Sequence, residues 1–179
     1  MASTTTRLMT FEEFENLPDS GAMRQELHHG ELIEGPPPKH GHKLVEQRLL
    51  RLLDVAARSS GEIVTEVGFR PGPGNEYWTA DVVFVPRDRW DAIPRDGYME
   101  GAPELVVEVL SPSNTVAEMR DKRKICLENG CREFWVVDSK QREVEVSTPD
   151  GHSITYKPGQ QIPLFFADGS NIAVDAIFE

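Results

Sequence analysis

ELVVEVL, residues 104–110, is apolar on both faces of an extended chain and stops at Ser111-Pro112. A run of that kind suits a central strand covered on both sides rather than one half open to water. One residue breaks it. Glu108 falls on the same face as Val106 and Leu110, where a carboxylate costs several kcal/mol unless it is paired or binds a metal. A buried ion pair is the ordinary explanation. A lone Glu adds no stability to such a strand, so a functional site is the favoured one.

Downstream, Thr115 and Glu118 make a capping box, and the helix they start should run to about Glu128, before Gly130. EFWVVD (133–138) reads as another buried strand. On a wheel of about 100° per residue, Val116, Met119, Ile125, Cys126 and Leu127 fill a broad apolar arc. Arg120, Asp121, Lys124 and Glu128 take the opposite face. Lys122 falls inside the apolar arc, between Ile125 and Cys126. Either its ammonium snorkels to solvent, or it is aimed at Glu108, where it can orient a water or stabilise developing charge. Glu118 also faces inward, but the capping box accounts for it. Arg142–Ser147 and Ser153–Tyr156 suggest a hairpin around Pro149-Asp150-Gly151, and 162–178 reads as one or two short edge strands.

Upstream, ADVVFV (80–85) is a short apolar strand with Asp81 at its entrance. Alone, Asp81 reads as a turn or cap carboxylate. Beside Glu108 on a neighbouring strand it becomes half of a site for a hard divalent cation such as Mg²⁺. A polar loop with Pro94 and Gly97 follows that strand. Glu62–Phe69 alternates as a strand should, and Pro71–Asn75 is a turn. His40–Ser59 has the apolar spacing of an amphipathic helix ended by Gly61. QELHHGELIE (25–34) suggests a hairpin turning at His29-Gly30. Thr10 and Glu13 cap a short helix over about 11–17. In that hairpin Glu31 reads as solvated charge, whereas Glu26 is a candidate extra acid. His40 and His42 at the helix start read as solvated or capping groups, with His42 a candidate phosphate contact. Trp78, Trp90 and Trp135 read as packing. Arg120, Arg123 and Lys124 form the best candidate patch for nucleic-acid phosphates.

The 179 residues, 39% hydrophobic and 27% charged, suit one globular domain spanning 1–179, with a core of about 24–147 and C-terminal strands over about 153–178. No internal repeat is visible. No apolar run approaches the roughly 20 residues of a membrane span. MASTTTRLMTFEEF lacks an apolar signal core, which points to the cytoplasm. Cys126 and Cys131 complete no zinc set and read as free thiols. The net charge of −11 argues against general adhesion to nucleic acid or anionic membrane. It leaves room for a nuclease, whose metal site is itself built of carboxylates.

ELVVEVLSPSN followed by DKRKICLENGCREFWVVD resembles the Uma-type restriction endonucleases. This bacterial family, once catalogued as a domain of unknown function, lies in the PD-(D/E)xK nuclease superfamily. QELHHGELIEGPPPKHGH and ADVVFV follow the same order, so the resemblance runs from about Met9 to Ser147. It implies a restriction-endonuclease-like α/β fold: a mixed central sheet flanked by helices, with β-hairpins near both termini. It also implies a Mg²⁺- or Mn²⁺-dependent endonuclease acting on DNA, with Asp81 and Glu108 as metal-binding acids. The ExK position after Glu108 is Leu110, and the spacing puts the family's helix lysine on Lys122. Glu26 maps onto an auxiliary acid and His42 onto the helix-start histidine. Ala80 replaces the usual Pro before the aspartate, Cys126 the usual aromatic after the lysine, and Glu118 the usual Asp before it. None of these removes a metal ligand.

Two other classes fit the same chain: a non-catalytic nucleic-acid-binding or regulatory module on this fold, and a structural or oligomerisation protein. Enzymes that cut both strands often pair, and the C-terminal strands offer edges for it, which leaves a homodimer open.

Overall fold

The computed structural model describes residues 7–18, 21 and 24–179. Its elements run α1 (Phe11–Glu15), β1 (Arg24–His28), β2 (Glu31–Gly35), α2 (His40–Ala57), β3 (Gly61–Arg70), β4 (Trp78–Pro86), α3 (Arg87–Asp91), β5 (Met99–Glu100) and β6 (Leu105–Val109). They continue with α4 (Val116–Glu128), β7 (Glu133–Asp138), β8 (Glu143–Ser147), β9 (Ser153–Tyr156), β10 (Gln161–Pro163), β11 (Asn171–Ala173) and α5 (Val174–Phe178). This is a mixed α/β fold. A seven-stranded sheet has the order β5-β3-β4-β6-β7-β8-β9. The β6–β7 and β3–β5 pairs are parallel, and the remaining neighbours are antiparallel. No helix among the described residues is long and apolar enough to cross a membrane.

The two-faced apolar run does lie in the middle of this sheet. Leu105, Val107 and Val109 enter the core under α2, with Leu49 and Leu53. Val106 enters the core under α4, with Met119 and Cys126, and Leu110 packs against it. Glu108 therefore points toward α4. That helix starts with the expected capping box, Thr115 and Glu118 satisfying each other's backbone N–H groups. Thr115→Ala should lower stability by about 1 kcal/mol and the melting temperature by about 2–4 °C. Thermal denaturation checks this, and an unchanged midpoint would show that packing alone fixes the helix.

Strand β4 does not alternate regularly. Ala80 belongs to the α4-side core, and Val82 and Phe84 to the α2-side core, although a plain two-residue period would put all three on one face. On β3, Val64 and Val67 both pack toward α4, and Glu66 between them has φ 55°. Thr65 pairs with Val82 and Val67 with Ala80, so the turn-over lies opposite Asp81. Both strands rotate there without losing register, and Asp81 is at the pivot.

Some expectations need correction. The loop after β4 contains the short helix α3 and strand β5. Arg89 of α3 donates to the carbonyls of Glu100 and Ala102, which ties the segment down. The 162–178 tail adds no strand to the main sheet. β10 and β11 pair with each other and α5 follows, so that Ile162, Ile172, Val174 and Ile177 are buried on the α2 side. Strands appended to the edge at β9 would leave those side chains in water. The first helix ends at Glu15, short of residue 17. Val116 sits on the apolar arc of α4 but is 78% exposed, at the first residue of the helix.

Candidate active site

Buried charge collects where β4 and β6 separate. Their ladder ends at the Val82–Val107 pair, so beyond it the β6 backbone has no β4 partner. The Asp81 carboxylate takes that place: its Oδ2 accepts the Val109 N–H at 2.8 Å. Asp81, Glu108 and Lys122 are 3%, 5% and 6% exposed, as deeply buried as the apolar core. Lys122 reaches inward from α4. Its Nζ lies 2.8 Å from Glu108 Oε1 and donates to the Thr79 carbonyl at 2.6 Å.

The β1–β2 hairpin lies across this crevice. Leu27 and Tyr77 exchange backbone hydrogen bonds of 2.8 Å in both directions, which fixes β1 beside β4. Arg24 of β1 donates to the Thr79 carbonyl, lies 2.7 Å from Glu26 Oε1 and reaches Asp81 Oδ1 at 3.4 Å. Glu26 also meets His28 Nε2 at 2.7 Å, and the His28 ring stacks on Trp78 with centroids 3.7 Å apart. From the α2 side, His42 Nε2 lies 3.2 Å from Asp81 Oδ2 and 2.9 Å from Glu46 Oε1.

The electrostatics separate the acids. Burial pushes Glu108 up to about 7 against the pull of Lys122, with Asp81 adding to the rise. At Asp81 burial acts the same way, but His42, Lys122 and Arg24 outweigh it and hold the carboxyl below its ordinary value. At Glu26 burial is outweighed by Lys122, His28 and Arg24, which bring it to about 2. Burial would lower Lys122, yet Glu108 and Glu26 keep its ammonium above the usual value. Glu108 Oε1 is enclosed and has no aligned hydrogen bond despite its close contact with Lys122.

The family model described as "Uma2: Putative restriction endonuclease" matches residues 11–176. The chain belongs to the Uma2 family. The fold agrees: a crystal structure titled as a "putative nuclease belonging to DUF820" from Anabaena variabilis ATCC 29413 superposes with a TM-score of 0.82. The two sequences are 20% identical, and the match covers 95% of this chain and 97% of that one. At that identity the likeness is one of fold. No curated protein matches the chain.

In this Uma2 chain, Asp81, Glu108, Lys122 and Glu26 come together in one buried cluster, with Arg24 joining Glu26 to Asp81. His42 stands elsewhere than expected. As a phosphate contact it would face solvent, but the ring turns inward to Asp81 and Glu46 because it precedes the buried stripe of α2 by one turn. Of the basic patch, Arg120 and Lys124 are exposed on the outer face of α4, whereas Arg123 folds onto Glu145 and Ser147 of β8. Glu31 is exposed and Glu118 is held in its capping box, as expected. Trp78 and Trp135 are core residues.

Two members of the cluster escaped sequence reasoning. Glu46 shares the buried side of α2 with Val45, Leu49 and Leu53 and is 1% exposed. The helical wheel that picks out Lys122 would have picked it out as well. Arg24 carries no such signal, since its position is set by a hairpin docking across residues far away in sequence.

Proposed function

We propose that the protein is a metal-dependent endonuclease hydrolysing phosphodiester bonds in DNA, with Mg²⁺ or Mn²⁺ held by Asp81 and Glu108. One observation carries the reading: two buried carboxylates from separating strands, with the Lys122 ammonium against one of them. The residues fit a hard divalent cation. Glu108 is forced up to about 7 and keeps an enclosed oxygen without an aligned donor, which is the condition of a site short of positive charge. A cation there supplies Lewis acidity toward the scissile phosphate and lowers the pKa of the attacking water.

The protein's own groups do the rest. The Val109 N–H fixes the Asp81 carboxylate, and the Thr79 carbonyl fixes Lys122, so neither needs to reorganise during the reaction. Lys122 orients the nucleophile or meets the charge that builds on the phosphate. Glu26, kept ionised, tunes the cluster through Arg24. Arg120 and Lys124 offer phosphate contacts on the outer face of α4. On this reading the protein works in the cytoplasm. Cutting both strands calls for a second copy of the chain, for which β9 offers an edge of the sheet.

The test is cleavage of supercoiled and linear DNA by purified protein in Mg²⁺, in Mn²⁺ and in EDTA, with Glu108→Gln alongside. Cleavage that needs the metal and falls about 10²-fold or more in the variant supports the reading. Cleavage equal in both proteins overturns it. Salt-sensitive DNA binding without turnover would mark a binding module instead.

A further inference from the structure

We propose that His29 is a positioning residue for the buried cluster: shared between Glu76 and Asp121 as an imidazolium, it fastens the turn of the β1–β2 hairpin to α4. The tie itself stands on the geometry, and only its effect on cleavage rests on the nuclease reading above.

The cluster draws Arg24 and Glu26 from β1, Asp81 from β4 and Lys122 from α4. One side chain joins these parts of the fold from outside. His29 Nδ1 lies 2.8 Å from Glu76 Oε1, two residues before β4. Its Nε2 lies 2.7 Å from Asp121 Oδ2, next to Lys122 on α4. A neutral imidazole has one N–H and one lone pair, so it can donate to only one of two carboxylates. Two carboxylate partners at these distances call for a proton on each nitrogen. The hydrogen bond to Asp121, with help from Glu76, accordingly raises the ring above its ordinary 6.5.

Glu76 is a buried acid that the cluster does not use. Its Oε2 accepts the His29 N–H at 3.1 Å and the Trp78 indole N–H at 2.7 Å. His29 itself has φ 53°, a backbone state that a side-chain-bearing residue keeps only where its surroundings fix it. The Gly30 N–H donates to the Asn75 carbonyl at 2.9 Å, which holds the turn to the segment before β4. The Asp121 contact extends that attachment to α4.

The charged groups around the ring are accounted for. Glu76 and Asp121 face it, while Trp78 lies edge-on with centroids 6.4 Å apart. On α4, Lys122 turns inward to Glu108 and Glu118 is held by Thr115; on β1, His28 faces Glu26. The His29 side chain is 58% exposed, so the solvent sets its protonation. Whichever tautomer forms on losing the proton, a lone pair then meets one carboxylate. A raised folded-state pKa means that the tie is fully present below the ordinary value and is lost as pH rises through the raised one.

Hydrogen exchange of the β1–β2 amides in the full chain, from pH 6 to pH 9, tests this without an activity assay. His29→Asn keeps a residue that tolerates the left-handed turn and removes the imidazolium. Asp121→Asn removes one of its acceptors. At pH 6 each variant should exchange those amides about fivefold faster than the unmodified chain, and the gap should close as pH rises. The double variant should be little faster than either single one. Cleavage in Mg²⁺ should lose about fivefold in kcat with KM unchanged, again only at the lower pH. Hairpin amides that exchange alike in all the proteins at pH 6 overturn the proposal. A gap independent of pH also overturns it, since that marks turn geometry alone, and so do additive effects of the two substitutions. Metal-dependent cleavage that His29→Asn leaves intact at pH 6 removes the positioning role. A chain that cuts no DNA at all sinks the nuclease reading instead, and the exchange data still decide for or against the tie.

Discussion

Asp81→Asn is expected to lower metal-dependent DNA cleavage by about 10³-fold or more, a loss of about 4 kcal/mol of transition-state stabilisation. The amide oxygen can still accept the Val109 N–H, so the separated ends of β4 and β6 stay in place. What disappears is the negative charge that His42, Lys122 and Arg24 hold ionised against burial. The cation position proposed between Asp81 and Glu108 uses this carboxylate, so metal binding should weaken as well. A ligand that binds the native state raises stability by about 2.7 kcal/mol at a hundred times its dissociation constant. Mn²⁺ should therefore raise the melting temperature of the unmodified protein and barely move that of the variant. Single-turnover cleavage of a labelled duplex, paired with thermal melts with and without Mn²⁺, measures both effects. A variant that keeps activity within tenfold removes Asp81 from the chemistry.

Lys122→Met should have the second-largest effect, and it should act on stability as well as on cleavage. Losing a charge aimed at the reacting phosphate costs about 10²–10³-fold in rate. Removing one partner of a buried ion pair costs about 3–5 kcal/mol when the other stays charged. Glu108 has a way out, because its folded-state pKa of about 7 already lies above its ordinary value of 4.5. An acid whose pKa is raised on folding binds its proton more tightly in the native state, so stability falls as pH rises through that interval. Without Lys122 the interval extends further upward. The penalty of the variant relative to the unmodified protein should then be largest above pH 8 and shrink toward pH 5. Denaturant titrations in EDTA across that range read it directly. Adding Glu108→Gln to Lys122→Met should recover much of the stability and none of the cleavage. A penalty independent of pH would mean that Lys122 acts by packing alone.

The residues legible in the sequence were those that violated a strong local pattern. Glu108 interrupts a run buried on both faces, and Lys122 interrupts the apolar arc of a helix; the structure places them 2.8 Å apart. Glu46 violates its pattern equally, but α2 reads as an ordinary amphipathic helix, and its flanking charges camouflage one buried acid. Asp81 depends on a rotation of β3 and β4 that no alternation rule contains, because the rotation comes from pairing between strands and from the φ of 55° at Glu66. Arg24 and the fate of the C-terminal segment depend on docking, which local spacing does not encode. The main elements from α2 to β9 followed from periodicity and capping. The short pieces α3, β5 and α5 are too brief for periodicity to reveal.

The hairpin laid across the β4–β6 crevice also bears on the order in which the chain is made. Arg24 and Glu26 are made before the groups at 81, 108 and 122 with which they share the cluster. The parallel β6–β7 pair cannot form before α4 has been synthesised and has crossed over. A nascent chain that ends short of α4 lacks the ammonium of Lys122 and holds the acids as loose, solvated groups. The cluster assembles only once α4 has been made, so a shorter nascent chain carries no organised acid–lysine cluster.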